Sequence, residues 1–445
     1  MRRSRTAAMG LAMALIAGLF TMQNAPAAKQ RFAIEREEHV VKTRFGKIYV
    51  LVSRPVRRGH PVKAPAILTY SPYSVLGAPP HHRRNSDDDF WVPKGYVRVW
   101  ADVVGTGNSG GCWDYGGRRE KLTGRRIVEW IADRRWSTGK VGMIGGSYEG
   151  TTATATAVTR PPHLTTIVPE AAISRWYGYA YSGGIRYFWT NEPLSHQGGG
   201  AAADEGFDTP AAFDFGLAVP PPLDAAGPGW ADRVTSTITP CQELRHTRHG
   251  YDKTPDYTRF WKQRDYLRGA RNIDIPVLIS HNWGDWNVKQ EEAINLFERL
   301  RHSRNVKLYM GTRWAGHGTP PGQRYEKTVV RWFAHHLKGR HNGIARMPRV
   351  TSQRSTSAGA GRYYRGPWPD TERRVLYAQA VGGADAPHYP WKLMPRRPRA
   401  RSAGASFPST GTNSESQAAM HPRANLRWFW FESPPLAKAT RIFGR

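Results

Sequence analysis

The stretch Val141-Gly142-Met143-Ile144-Gly145-Gly146-Ser147-Tyr148-Glu149-Gly150 decides how the rest of this chain is interpreted. Its first half is a short apolar run, which predicts a buried strand, and the small, alanine-rich residues that follow Gly150 predict a helix packed closely on a sheet. Glycines on both sides of Ser147 allow a sharp turn with positive φ. Such a turn lifts the serine oxygen above the sheet, beside free N–H groups at the helix start. The stretch predicts a nucleophilic serine, with an incidental serine in a glycine-rich turn as the alternative.

Strands and helices alternate on both sides of this elbow. Apolar runs predict strands at 64–70, 96–101, 164–169, 277–280 and 306–310, and an extended pair joined at Gly46 precedes them. Helical spacing predicts helices at 125–134, 291–300 and 326–337. This alternation is typical of a parallel sheet with crossover helices, so the predicted fold class is α/β.

The alternation also predicts the domain boundaries. Residues 38–345 form the predicted catalytic α/β unit, and residues 174–268 are a Gly-, Pro- and aromatic-rich insertion that is predicted to cap the sheet. Short strands separated by Gly/Pro loops predict a β accessory domain at 346–445. Within it, the Arg-, Ser-, Ala- and Pro-rich stretch 395–425 is predicted to be disordered.

The N-terminus has the three parts of a secretory signal. Arginines precede an apolar run at 7–20, and Ala25-Pro26-Ala27-Ala28 supplies small residues for cleavage. We expect residues 1–28 to be a signal peptide cleaved near Ala27 or Ala28, and the protein to be secreted. No later segment is apolar enough to predict a transmembrane anchor.

The chain has two cysteines, Cys112 and Cys241. In an exported protein such a pair is compatible with one disulfide, and two unpaired, buried thiols are the alternative.

The formal net charge of +30 raises the question of an anionic partner. Lys and Arg are scattered along the chain without a nucleic-acid-binding module, and export argues against an intracellular polymer. We therefore expect no nucleic-acid partner. Adhesion to anionic cell-wall polymers or lipids is left open, as is a homo-oligomer.

A nucleophilic serine needs a base, and the base needs an orienting acid. In α/β-hydrolases these follow in the order Ser, Asp or Glu, His, on loops after strands. Asp285 follows the predicted strand 277–280, and His317 follows the predicted strand 306–310. Ser147, Asp285 and His317 are therefore the predicted catalytic residues.

Metal-dependent hydrolysis is the competing chemistry. The chain has no His-Glu-x-x-His helix and no clustered Cys/His pattern. The acidic run Asp87-Asp88-Asp89 is interpreted as a solvated loop rather than a calcium site. We expect no metal and no cofactor.

Several motifs together resemble one family. They are Ser71-Pro72-Tyr73, Asp102 with Gly105-Thr106-Gly107, the elbow with the run Gly139 to Met143 before it, and the loops of Asp285 and His317. They resemble the α/β-hydrolases that include the X-prolyl dipeptidyl-peptidases and the bacterial cocaine esterase.

This resemblance implies an α/β-hydrolase core with a partly helical cap and a C-terminal β jelly roll. It implies Ser147 as nucleophile, His317 as base and Asp285 as its partner. It also implies that the Tyr73 hydroxyl and the Tyr148 backbone N–H donate to the oxyanion. Because the family's jelly roll is larger than the segment 346–445, we expect a truncated C-terminal sheet.

The segment 170–179 resembles the X-prolyl peptidases more than the esterases. A proline ring needs an aromatic-walled pocket, and a free α-amino group needs an acceptor. The residues predicted for these tasks are Trp176, Tyr177 and Tyr179 for the ring, and Glu149 or Glu192 for the amine. For Glu149, an acid stabilised in the first turn of a helix is the alternative.

The predicted function is thus a dipeptidyl-peptidase acting on peptides. A carboxylesterase or acylase acting on a small ester or amide is one alternative. A non-catalytic surface-binding protein is the other.

Overall fold

The computed structural model describes residues 32–73, 85–182, 185–186, 256–285, 287–300, 302–303, 305–313, 315–353, 363–367, 377–379, 391–396 and 431–432. The predicted signal peptide, Glu192, Cys241, most of the cap insertion and nearly all of the stretch 395–425 lie outside the described residues.

The described strands follow the predicted pattern closely. In chain order they are β1 (Ala33–Thr43), β2 (Gly46–Arg57), β3 (His60–Pro61), β4 (Ala64–Ser71), β5 (Val97–Asp102), β6 (Ser137–Gly146), β7 (Leu164–Glu170), β8 (Tyr181–Ser182), β9 (Ile185–Arg186), β10 (Val277–Asn282), β11 (Val306–Gly311), β12 (Val350–Gln353), β13 (Tyr363–Gly366), β14 (Tyr377–Gln379), β15 (Trp391–Met394) and β16 (Phe431–Glu432).

One large sheet contains most of these strands, in the order β1-β2-β5-β4-β6-β7-β10-β11-β12-β13, with β3 added on β2. The pairs from β5 through β12 are parallel, whereas β1, β2 and β13 join antiparallel. Since parallel strands end at the same edge, the loops after β6, β10 and β11 meet at one edge of the sheet. The α/β fold class is confirmed.

Seven helices are described: α1 (Asn85–Trp91), α2 (Arg118–Ala132), α3 (Tyr148–Ala157), α4 (Trp176–Ala180), α5 (Arg259–Gln263), α6 (Gln290–Arg299) and α7 (Gln323–Lys338). Apolar residues of α2, α3 and α6 belong to one core cluster, and those of α1 and α7 to a second. Strand β4 is buried along its whole length because helices cover both faces of the sheet. In the part of the chain that the structure describes, we found no helix with the length and apolarity needed to cross a membrane.

The main sheet continues past residue 345, where the catalytic unit was predicted to end. Strand β12 pairs in parallel with β11, and β13 pairs antiparallel with β12. Strand β12 lies in the segment 346–445, where the local pattern predicted short strands, but a pattern of alternating residues does not identify the neighbour with which a strand pairs. Strands β14, β15 and β16 form a separate small sheet, and the predicted jelly-roll-like accessory domain stays a prediction.

The acidic run Asp87-Asp88-Asp89 is not a solvated loop, and this interpretation was wrong. It lies in α1, where Asp88 is buried and accepts hydrogen bonds from Ser53 Oγ (2.5 Å) and Arg36 Nε (3.2 Å). A buried hydroxyl on β2 and a partly exposed guanidinium on β1 replace water around the carboxylate, which local sequence cannot reveal. Among the described residues, no group of His, Cys, Asp and Glu is arranged to hold a metal ion.

Candidate active site

Ser147 lies between β6 and α3 with φ 59° and ψ −124°. A non-glycine residue in this region stores roughly 1–3 kcal/mol of strain. Its N–H donates to the carbonyl oxygen of Glu170 (2.8 Å) at the end of β7. A Cβ on Gly145 would lie 2.3 Å from Glu149 Cβ, and a Cβ on Gly150 would lie 2.7 Å from the Gly145 carbonyl oxygen. The elbow therefore requires glycine at both positions.

A short chain of hydrogen bonds ends at the nucleophile. The Tyr73 hydroxyl donates to Ser147 Oγ (3.1 Å), and the Tyr148 backbone N–H donates to the Tyr73 hydroxyl (3.1 Å). Desolvation raises the pKa of the Tyr73 phenol above its usual value, so the phenol stays protonated and can donate. The structure thus brings together Ser147, Tyr73 and Tyr148, the residues that the resemblance linked to an oxyanion.

The acid and the base are also paired. His317 Nδ1 lies 2.8 Å from Asp285 Oδ2. The other oxygen, Oδ1, accepts the backbone N–H groups of Asn287 and Val288, each at 3.0 Å. Asp285 is 1% exposed and so is held as a buried acceptor.

The base does not form a hydrogen bond with the nucleophile in this structure. His317 Nε2 is buried and has no hydrogen-bond partner among the residues described. The hydrogen bond of Ser147 Oγ is instead made with Tyr73. Catalytic hydrogen bonds are often long before substrate binds and shorten in the substrate complex.

His281 is a second imidazole beside the acid. Its Nε2 lies 2.7 Å from the Val288 carbonyl oxygen and 3.3 Å from Asp285 Oδ2. Burial lowers the pKa of His281, so the ring is neutral. His281 is fully buried while the His317 side chain is 19% exposed, which leaves His317 as the imidazole that a substrate can reach.

Two supporting residues were missed from the sequence. Asn282, the last residue of β10, donates from Nδ2 to the carbonyl oxygens of Gly316 (3.1 Å) and Gly318 (3.0 Å), the two neighbours of His317. The Glu170 carboxyl accepts a hydrogen bond from the Thr319 hydroxyl (3.1 Å), in the loop that carries His317. The backbone carbonyl of Glu170 accepts the hydrogen bond of the Ser147 N–H. The elbow and the histidine loop are therefore joined through the ends of β7 and β10.

Glu170 and Asn282 could have been found in the sequence, because each is a polar residue at the end of a buried strand. Burial raises the pKa of Glu170 to about 7, with the Tyr325 and Thr319 hydroxyls acting against that shift. Near neutral pH this carboxyl is therefore partly protonated.

A third buried carboxyl supports Tyr148. Glu120 Oε2 accepts from the Tyr148 hydroxyl (2.9 Å), Trp113 Nε1 (3.2 Å) and the Gly116 N–H (3.0 Å). Burial, followed by the negative charge of Asp114, raises the pKa of Glu120 to about 7. These bonds hold the side chain of the residue whose backbone N–H donates to the Tyr73 hydroxyl. No local pattern signals this role, because Glu120 lies on a helix more than twenty residues upstream.

The predicted aromatic pocket is more buried than expected. Trp176 is 2% exposed and packs edge to face on Tyr148, with ring centroids 5.2 Å apart. Tyr179 is 4% exposed, and its hydroxyl donates to Asn287 Oδ1 (2.8 Å). Tyr177 is only partly buried and stacks on Tyr181. Of the three aromatics, Tyr177 keeps the largest exposed fraction.

Glu149 is partly buried and accepts a hydrogen bond from Ser71 Oγ (2.7 Å). It lies in the first turn of α3, two residues after the nucleophile.

Cys112 takes part in a disulfide.

A partly buried serine on a strained elbow and a hydrogen-bonded Asp–His pair, all at the carboxyl ends of parallel strands, define a serine hydrolase of the α/β-hydrolase class. The family model of the X-Pro dipeptidyl-peptidases (S15 family) matches residues 46–318. The chain belongs to this family.

Relatives in sequence agree with this assignment. A Bacillus anthracis protein with the provisional name Xaa-Pro dipeptidyl-peptidase is 30% identical over 352 residues, which cover 72% of this chain and 54% of the relative. The Xaa-Pro dipeptidyl-peptidase of Ligilactobacillus salivarius is 33% identical over 231 residues, 48% of this chain and 26% of the relative. The chain spans about half of the Bacillus anthracis relative and less of the other.

Among solved structures, a CocE/NonD family hydrolase from Staphylococcus aureus is similar with a TM-score of 0.58 and 20% identity, over 82% of this chain and 60% of that chain. An α-amino acid ester hydrolase is similar with a TM-score of 0.52 and 20% identity, over 88% of this chain and 67% of that chain. These two structural similarities show the fold that this chain shares with the two hydrolases.

Proposed function

We propose that this protein is a secreted serine peptidase that releases Xaa-Pro dipeptides from the N-termini of peptides. One observation carries the proposal: Ser147 Oγ meets the Tyr73 hydroxyl at the same sheet edge where Asp285 holds His317, in a chain of the X-Pro dipeptidyl-peptidase family. Secretion rests on the N-terminal residues 1–28 alone.

The proposed reaction has two steps. His317 Nε2 takes the proton of Ser147 Oγ while that oxygen bonds to the carbonyl carbon that follows the proline ring. The resulting oxyanion accepts hydrogen bonds from the Tyr73 hydroxyl and the Tyr148 N–H. The intermediate collapses, the C–N bond breaks, and His317 gives its proton to the leaving amine. In the second step, His317 takes a proton from water while the water oxygen bonds to the acyl carbon. The bond to Ser147 Oγ breaks, and His317 returns the proton to Ser147. Asp285 stabilises the imidazolium that forms in each step.

The proposed specificity rests on two parts of the substrate, its free α-amino group and its proline ring. The Glu149 carboxylate is two residues from the nucleophile and accepts a hydrogen bond from Ser71 Oγ, and we assign to it the binding of the protonated α-amino group. Tyr177 is the aromatic residue whose exposed fraction allows contact with a proline ring.

A substrate panel tests the proposal. Purified protein should release p-nitroaniline from Ala-Pro- and Gly-Pro-p-nitroanilide, and N-acetylation of Ala-Pro-p-nitroanilide should remove that activity because the amine is blocked. Turnover of aryl esters without any of these anilides would indicate the esterase or acylase alternative. Failure of a fluorophosphonate probe to label Ser147 in folded protein would indicate a non-catalytic surface binder.

Replacing Tyr73 by Phe should lower kcat for Ala-Pro-p-nitroanilide by about 10²–10³-fold, because one oxyanion donor is lost. KM should change little, since the ground-state carbonyl needs that donor less than the tetrahedral intermediate does. Steady-state kinetics measures both constants. Tyr363→Phe removes a hydroxyl from strand β13 and serves as the matched control. An equal loss in both variants would contradict the assignment of Tyr73.

A further inference from the structure

A basic groove lies beside α7, away from the candidate active site. Its cavity volume is about 510 Å³, and its walls come from the first half of α7, the turn Ile344–Arg346 and the strands β12 and β13. The cations that line it are Arg324, Lys327, Arg331, Arg346 and Arg365. We call this feature the α7 groove. None of the residues placed around Ser147 or His317 lines it.

The α7 groove has positive charge without compensation. No Asp or Glu is among its lining residues, and in the described part of the chain none of its five cations forms a salt bridge. Two guanidinium groups lie beside Gly343, because a Cβ placed there would lie 3.6 Å from Arg346 Nη2 and 3.7 Å from Arg331 Nη2, which also donates to the Asn342 carbonyl oxygen. Neighbouring like charges repel each other, and a bound anion would relieve the repulsion.

The wall of the groove contains a polar group that lacks a partner. Thr351 lies on β12, opposite Tyr309 of β11, and both residues line the groove. Thr351 is 3% exposed, and its Oγ1 has no hydrogen-bond partner among the residues that the structure describes. A buried hydroxyl without a partner costs roughly 1–3 kcal/mol. This observation is independent of the cations, and it also indicates a ligand with acceptor oxygens.

Arginine identifies the chemistry of that ligand. The planar guanidinium donates two parallel hydrogen bonds and so matches the oxygens of a phosphate group better than an ammonium does. Arginine supplies four of the five cations here. We propose that the α7 groove binds an anion with clustered phosphate groups, independently of the hydrolytic reaction. Free oligophosphate and a phosphate-bearing lipid headgroup both present this chemistry.

Calorimetric titration of the full-length protein with sodium tripolyphosphate tests the proposal. We expect one saturable site in the wild type. The double substitution Arg331→Gln/Arg346→Gln should weaken it by about tenfold or more, because charge-assisted hydrogen bonds are lost. Thr351→Val should weaken binding by a smaller factor without changing the charge. Arg57→Gln/Arg118→Gln removes the same charge from exposed sites elsewhere and should leave the affinity close to that of the wild type.

Vesicles containing phosphatidylglycerol distinguish the two sources. Less protein should sediment with the vesicles in the Arg331→Gln/Arg346→Gln variant, and not in the matched control, if a lipid headgroup is the phosphate source. Saturable binding of tripolyphosphate without binding to vesicles supports a free oligophosphate. The proposal fails if neither probe binds saturably, or if both double variants lose binding equally, since binding would then follow the net charge. Circular dichroism and the Tm of each variant separate loss of binding from loss of folding.

Discussion

Ser147→Ala is expected to lower kcat for Ala-Pro-p-nitroanilide by about 10⁶-fold, the loss that follows removal of the nucleophile in other serine hydrolases. The substitution removes the nucleophilic oxygen and its hydrogen bond with the Tyr73 hydroxyl. The backbone N–H bond to Glu170 is kept, so the elbow itself should remain. Stopped assays with long incubation are needed to measure so small a residual rate.

Ser137→Ala is the matched control for this substitution. Ser137 lies at the other end of β6, and its hydroxyl accepts only a local hydrogen bond from the Gly139 N–H. Its activity should stay close to that of the wild type. Residual activity of Ser147→Ala above about one per cent, with the fold intact, would assign the nucleophile to another residue.

Asp285→Asn is expected to lower kcat by about 10⁴-fold, the magnitude known for the equivalent change in a serine protease. The physical reason lies in the contacts of the two carboxylate oxygens. Oδ1 accepts the N–H groups of Asn287 and Val288, so in the variant the carbonyl oxygen keeps that position. The amide NH₂ then faces His317 Nδ1, which must become an acceptor. The proton moves to Nε2, and His317 cannot take the proton of Ser147.

Steady-state kinetics with Asp274→Asn as control tests this prediction. Asp274 forms only an exposed pair with Arg160, so its amide variant should be fully active. A loss smaller than tenfold in Asp285→Asn would show that another group orients His317.

Much of the fold could be predicted from local pattern. A continuous apolar run predicted the strand before Ser147, and small, alanine-rich residues predicted the helix after it, and both were placed correctly. The order of the parallel strands also placed Asp285 and His317 after their strands, and the structure brings these two side chains within 2.8 Å.

The supporting contacts around the site could not be predicted in this way. Glu170 bonds to Thr319 across 149 residues, Glu120 to Tyr148 across 28, and Asp88 to Ser53 across 35. A polar residue on a helix or at a strand end has the same local signature whether it faces water or a distant hydroxyl. Only the packed chain decides which environment it has.

The amino-acid sequence determined the chemistry, because the glycines near Ser147 allow a tight elbow that residues with a Cβ at positions 145 and 150 would block. The tertiary structure decided the surroundings of that serine. It joined the elbow to the histidine loop through Glu170 and Asn282, and it buried Trp176 and Tyr179 instead of leaving them open as a pocket wall. It also gathered the cations of the α7 groove from separate elements. Burial and charge convergence depend on contacts between distant residues, and no local pattern contains them.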